Sequence, residues 1–236
     1  MLIKGWVRTS LIDYPEHIAS VIFTPGCNFR CPMCHNAELV LHSNRIPVIP
    51  QHEVLDYLEK RRGLIDGLVV TGGEPTLQDG LLPFIECVKA MDIPVKLDTN
   101  GMRPDTVKLM LKDRLVDFFA VDIKAPPGRY HELTGVDSAD AVRVEECLSS
   151  ILETDAALEL RTTVVPRLLV DEDIVEIARW LAGLHITHGW YVLQQFRPAH
   201  TLDPELSRAV PYSKATLNEM AEYARQYLPN VKVRGV

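Results

Sequence analysis

No stretch of this chain approaches the roughly eighteen uninterrupted apolar residues that a membrane helix needs, and the opening Met1-Leu2-Ile3-Lys4-Gly5-Trp6-Val7-Arg8 has no apolar run of the kind that marks a signal peptide. The expected location is the cytoplasm. Positive charge is also scarce: 25 Lys and Arg stand against 32 Asp and Glu, a formal charge of −7. That balance denies the chain the broad basic footprint of a nucleic-acid binder, so neither nucleic acid nor membrane is expected as a partner. Low-complexity tracts, internal repeats and long linkers are absent too, and 236 residues with 47% hydrophobic content suit one globular domain.

Cysteine is sparse and unevenly placed. Of five, three fall within eight positions, at Cys27, Cys31 and Cys34, and no fourth follows nearby. In a reducing compartment clustered thiols indicate metal or catalysis before disulfides. A structural zinc site would close with four ligands, and recruiting His35 as the fourth is strained because it adjoins Cys34. Three thiolates on an iron-sulfur cluster leave one iron open, the arrangement that separates a site of chemistry from a structural one. Cys87 and Cys147, at apolar-flanked helix positions, are expected to be buried and inert.

Apolar, β-rich runs alternate with segments of helical period. The strands are expected at Ser20–Thr24, Gly67–Thr71, Pro94–Asp98, Phe118–Asp122, Leu158–Val165, Trp190–Phe196 and a short Val231–Val233, with helices near 50–62, 81–91, 104–111, 139–153, 171–184 and 213–227. About six such repeats predict an α/β fold with a parallel sheet. Since a full barrel needs eight units, an incomplete TIM-type (β/α)6 barrel is favoured over a closed barrel or a doubly wound sheet. The single domain would comprise a cysteine loop over 25–36, a core to about residue 196 and a C-terminal extension over 197–236. In such folds the site lies at the carboxyl ends of the strands. There the chain places Gly26-Cys27, Gly72-Gly73-Glu74, Asp98-Thr99-Asn100, Asp122-Ile123-Lys124, Thr163 to Pro166 and Gln194 to Arg197.

The spacing of Cys27, Cys31 and Cys34, followed in order by these motifs, resembles the radical S-adenosylmethionine superfamily. The resemblance implies a radical SAM core in which the three cysteines hold one 4Fe-4S cluster and its unique iron takes the amino and carboxylate groups of S-adenosylmethionine. Gly72, Gly73 and Glu74 match the family's turn at the methionine amino group. Asp98, Thr99, Asn100, Asp122 and Lys124 look like the Asp-Thr-Asn-Gly and Asp-x-Lys elements of the branch that activates glycyl radical enzymes, with a monovalent cation implied near Asp98 and Asp122. Thr163, on the same strand face as Arg161, and the segment around Phe196 would line the ribose and adenine region. Met33 stands where the superfamily often has an aromatic residue; a flexible thioether fills the same slot.

More narrowly, Thr9-Ser10-Leu11-Ile12-Asp13-Tyr14-Pro15 and the run from Val21 to Val40 are similar to the activating proteins of anaerobic ribonucleoside-triphosphate reductase. That similarity implies a glycyl radical enzyme as partner, the large subunit of anaerobic ribonucleotide reductase, and a reduced flavodoxin or ferredoxin-type electron donor. With two isolated cysteines left over, no auxiliary cluster is expected. Two other readings remain open at this point: a radical enzyme of the 7-carboxy-7-deazaguanine synthase type acting on a small molecule, and a zinc-binding adaptor.

Overall fold

The computed structural model describes every residue except Thr187. Eight strands form one sheet in the order β1 to β8: Gly5–Ser10, Ala19–Thr24, Gly67–Gly72, Val95–Thr99, Phe118–Asp122, Ala157–Val164, Trp190–Gln195 and Val231–Arg234. Strand β1 runs antiparallel to β2, and each later neighbour is parallel. With β1 and β8 as its two edges the sheet is a partial barrel. The six expected strand-helix units run from β2 to β7. Two edge strands extend them, because the segment after Phe196 folds back as helix Lys214–Arg225 and then β8. Strand β1 was not foreseen.

The central strands are built from Val, Ile, Leu and Phe and are buried on both faces, as a parallel sheet under helices requires. Ile22, Leu68, Val70, Leu97, Phe119 and Val121 point outward into the main core with the helices. Alternate residues face the lumen, since side chains change sides at every step along a strand. At the lower end Tyr14, Ala19, Val21 and Val69 form a separate apolar plug that Phe23 and Phe118 extend. A pocket lies at the other end, where the strands finish.

The main helices are α1 Ala37–Leu41, α2 Gln51–Lys60, α3 Leu81–Lys89, α4 Pro104–Lys112, α5 Tyr130–Thr134, α6 Ala141–Leu152, α7 Asp171–Gly183 and α8 Lys214–Arg225. Their starts follow local chemistry: Ser213 Oγ accepts from Thr216 N, Asp140 Oδ1 from Val142 N, and three acidic residues open α7 at its positive dipole end. Helix α3 buries Leu81, Phe84, Ile85 and Val88. Cys87 falls outside that stripe and is exposed, a correction to the expectation that both isolated thiols are buried; Cys147 is buried. No helix among the described residues is long and apolar enough to cross a membrane.

Candidate active site

The loop after β2 meets the turn after β3 at the top of the barrel. Gly73 N donates to Thr24 O and Glu74 N to Gly26 O, at 2.9 and 2.8 Å. A Cβ at residue 73 would overlap the Gly26 carbonyl oxygen, and Gly72 has φ +122°, so this contact admits only glycine at both positions. Asn36 Nδ2 ties the far end of the cysteine loop to Gly72 O at 2.6 Å, and Arg30 Nη1 donates to the Cys27 and Phe29 carbonyls at 2.7 Å each. The three cysteines are thereby carried to one pocket of about 240 Å³.

That pocket gathers almost every residue singled out in the sequence. Its wall contains Cys27, Cys31 and Cys34, Gly72, Gly73 and Glu74, Asp98, Thr99 and Asn100, Asp122, Lys124 and Thr163, with Met33 beside the thiols. Phe196 is not in the wall. It is fully buried under His35, their rings 6.1 Å apart and nearly parallel. Gln194, one pleat earlier, faces the pocket in its place.

The lumen beneath the thiols holds an alternating row of charges. Lys96 pairs with Asp98; Arg161 Nη1 reaches Asp98 Oδ2 at 3.2 Å and its Nε reaches Asp122 Oδ1 at 2.9 Å; Lys124 Nζ meets Asp122 Oδ2 at 3.0 Å. Asp122 and Arg161 are register partners on adjacent parallel strands, which makes the pairing a property of the sheet. Burial alone would raise both carboxyls, but the guanidinium of Arg161, with Lys96 beside Asp98 and Lys124 beside Asp122, holds them below the usual carboxylate range. At the β8 edge Arg234 Nη1 and Lys232 Nζ reach the buried Glu159 at 2.9 and 3.5 Å, and Arg234 Nη2 donates to Gln194 at 3.0 Å.

Glu74, in the pocket wall, is buried at 1% exposure. Its oxygens accept from Thr76 N, Thr76 Oγ1, Thr99 Oγ1 and Asn100 N. Burial raises its pKa against the pull of those four donors. The side chain therefore straps the β3 turn to the end of β4.

The thiols suit a cationic cluster. Burial pushes Cys27 up to about 12 and Cys31 up to about 11, with Lys124 drawing both back, so the pair needs added positive charge to ionise near neutrality. Among the described residues no three Cys, His, Asp or Glu side chains, the three thiols included, are grouped tightly enough to hold one metal ion. His35, the proposed fourth ligand of the adaptor reading, donates its Nε2 to Arg197 O at 2.8 Å.

Sequence reasoning passed over Lys96, placed Gln194 at a strand end without a role of its own, and gave Arg161 no charge to bind. The available signal was alternation: Lys96 and Arg161 stand two residues before Asp98 and Thr163 on strands whose other face is apolar.

Comparison with known proteins agrees with this geometry. The family profile described as "Radical SAM superfamily" matches residues 21–181. A protein of Methanocaldococcus jannaschii named "Putative glycyl-radical enzyme activating enzyme" is 32% identical over 241 residues, an alignment covering 100% of this chain and 96% of that one. A GTP 3',8-cyclase of Helicobacter pylori is 28% identical over 193 residues, covering 79% of this chain and 56% of that protein. Among solved structures, Streptococcus suis SuiB bound to its precursor peptide SuiA superposes with a TM-score of 0.70 at 15% identity, covering 91% of this chain. This chain spans 48% of SuiB's length, and the likeness is one of fold. The profile over two thirds of the chain and the full-length relative show that this protein is an enzyme of the radical SAM superfamily.

Proposed function

We propose that this protein is an activase that introduces a radical on a glycine of a partner enzyme, the partner being the large subunit of anaerobic ribonucleotide reductase. The observation that carries the reading is the end-to-end match with the M. jannaschii relative, which leaves almost nothing of either chain unaccounted for. The cyclase has nearly half its length outside the match. An activase needs no enclosed small-molecule domain, because its substrate arrives as a segment of another protein.

With a 4Fe-4S cluster and S-adenosylmethionine bound, as the superfamily implies, the chemistry supplied is one-electron cleavage to methionine and a 5′-deoxyadenosyl radical that removes a hydrogen atom from the glycine α-carbon. Everything else falls to the chain. Cys27, Cys31 and Cys34 would hold the cluster. The backbone of Gly72, Gly73 and Glu74 would receive the methionine amino group, and Lys124, beside the thiols, its carboxylate. Asp98, Thr99, Asn100, Asp122 and Thr163 would complete the cofactor's bed. Phe196 would act from behind it, through His35. The apolar cluster at Tyr14 and Val69 would help to keep water from the lumen below. A monovalent cation near Asp98 and Asp122 would have to share them with Arg161, which bridges both carboxylates. A reducing cytoplasm and a flavodoxin or ferredoxin-type electron donor fit three unpaired thiols that must take up a cluster.

The test is activation of the candidate partner: anaerobic mixing of the reconstituted protein, a reductant, S-adenosylmethionine and the reductase large subunit, read by electron paramagnetic resonance. A glycyl radical signal that requires all components supports the reading. Formation of 5′-deoxyadenosine without a protein radical on any glycyl enzyme points instead to a small-molecule substrate.

A further inference from the structure

Asn28, the residue after the first cysteine, has no part in the assignments above, yet it touches the pocket's most constrained amide. Its Oδ1 accepts from Asn100 Nδ2 at 2.8 Å. Asn100 is buried, its main-chain N donates to Glu74 Oε2 at 2.8 Å and its Oδ1 accepts from Met102 N at 3.1 Å. A primary amide carries two N–H donors. With one fixed on Asn28, the other faces Cys27 Sγ, 3.9 Å from Nδ2. The same sulfur receives Phe29 N at 3.3 Å.

Cys27 as a free thiol also directs its proton toward Asn28 Oδ1, 3.8 Å away. Ligation to iron removes that proton and leaves the sulfur with two N–H groups aimed at it. Donors at a cluster sulfur favour the state with more negative charge, and such hydrogen bonds are one of the levers that set an iron-sulfur potential.

We propose that Asn100 is a donor to the first cluster ligand that raises the cluster's reduction potential, and that Asn28 is a positioning residue that acts through Asn100 by holding its amide beside the Cys27 sulfur. The inference rests on the radical SAM reading of the three cysteines. Glu74 belongs to the same device, since its strap to Asn100 N sets where the amide begins.

The measurement is the midpoint potential of the reconstituted cluster without S-adenosylmethionine, followed by electron paramagnetic resonance during reductive titration. Asn100→Ala should shift it downward. Asn28→Ala should shift it the same way by less, at unchanged iron content. The double variant should lie no lower than Asn100→Ala, because a residue acting through another adds nothing once that other is gone. An unchanged potential in Asn28→Ala, or shifts that sum in the double variant, would overturn the proposal. Should Asn100→Ala fail to take up iron, Asn28→Ala decides alone. Wild-type protein that takes up no cluster would contradict the family reading itself, and the proposal with it.

Discussion

Asp122 and Arg161 face each other across neighbouring parallel strands, joined at 2.9 Å, and the same guanidinium spans to Asp98 at 3.2 Å. One side chain of 14% exposure thus bridges two carboxylates brought into the lumen by different strands, each of which also has a lysine. Removing it leaves both with only their lysines. Arg161→Met is expected to cost about 3–5 kcal/mol, the scale for breaking a buried pair from one side, read as a lower urea midpoint. Arg161→Lys retains the charge but not the fork, and should fall between.

The same row fixes the acid limit of the fold. Asp98 and Asp122 have folded pKa values below their unfolded ones. Groups of this kind contribute stability that is fully present above the unfolded value, about 4, and lost as pH falls through the folded one. Their contribution should stay flat from neutrality to about pH 5 and decline below pH 4. In Arg161→Met, where burial is less opposed, the folded values move up toward the unfolded ones, so the loss below pH 4 should be smaller than in the native protein. Urea midpoints collected across the acid range check both statements.

Gly73 has no room for a side chain against the Gly26 carbonyl. Gly73→Ala must part the β3 turn from the cysteine loop. Iron uptake on reconstitution should fall at least severalfold, with stability reduced by about 1–3 kcal/mol. Gly128, which has open space at its Cβ, serves as the control: Gly128→Ala should load normally.

His35 separates the cluster account from the zinc account. Because its Nε2 is engaged by Arg197 O, His35→Ala should keep the full iron content of the reconstituted protein. The expected loss is about 1 kcal/mol of stability from one hydrogen bond. Loss of metal in that variant would favour histidine ligation.

The sequence showed most of the architecture because parallel strands declare themselves as continuous apolar runs, and the motifs fell where each run ended. Strand β1 escaped because it is an edge: Val7, Arg8 and Thr9 are exposed in succession and give no alternation to read. The salt-bridge row escaped for a different reason. That Arg161 would meet Asp98 and Asp122 depends on register between strands separated by whole helices, and one sequence does not carry it. The difference at the end of β7 arises because the strand stops at Gln195: Gln194 faces the pocket, Gln195 donates to Tyr212 O at 3.0 Å, and Phe196 lies past the last strand residue and sinks beneath His35. Cys87 shows how narrow the margin is on a helix, since a position flanked by Ile85 and Val88 still points to solvent.

The most direct test of the central claim is anaerobic reconstitution with iron and sulfide, followed by reduction and assay of 5′-deoxyadenosine from S-adenosylmethionine, comparing the native protein with Cys31→Ala. The account predicts a brown protein that forms 5′-deoxyadenosine and a variant that does not. A colourless protein that binds one zinc ion and leaves S-adenosylmethionine intact would contradict it.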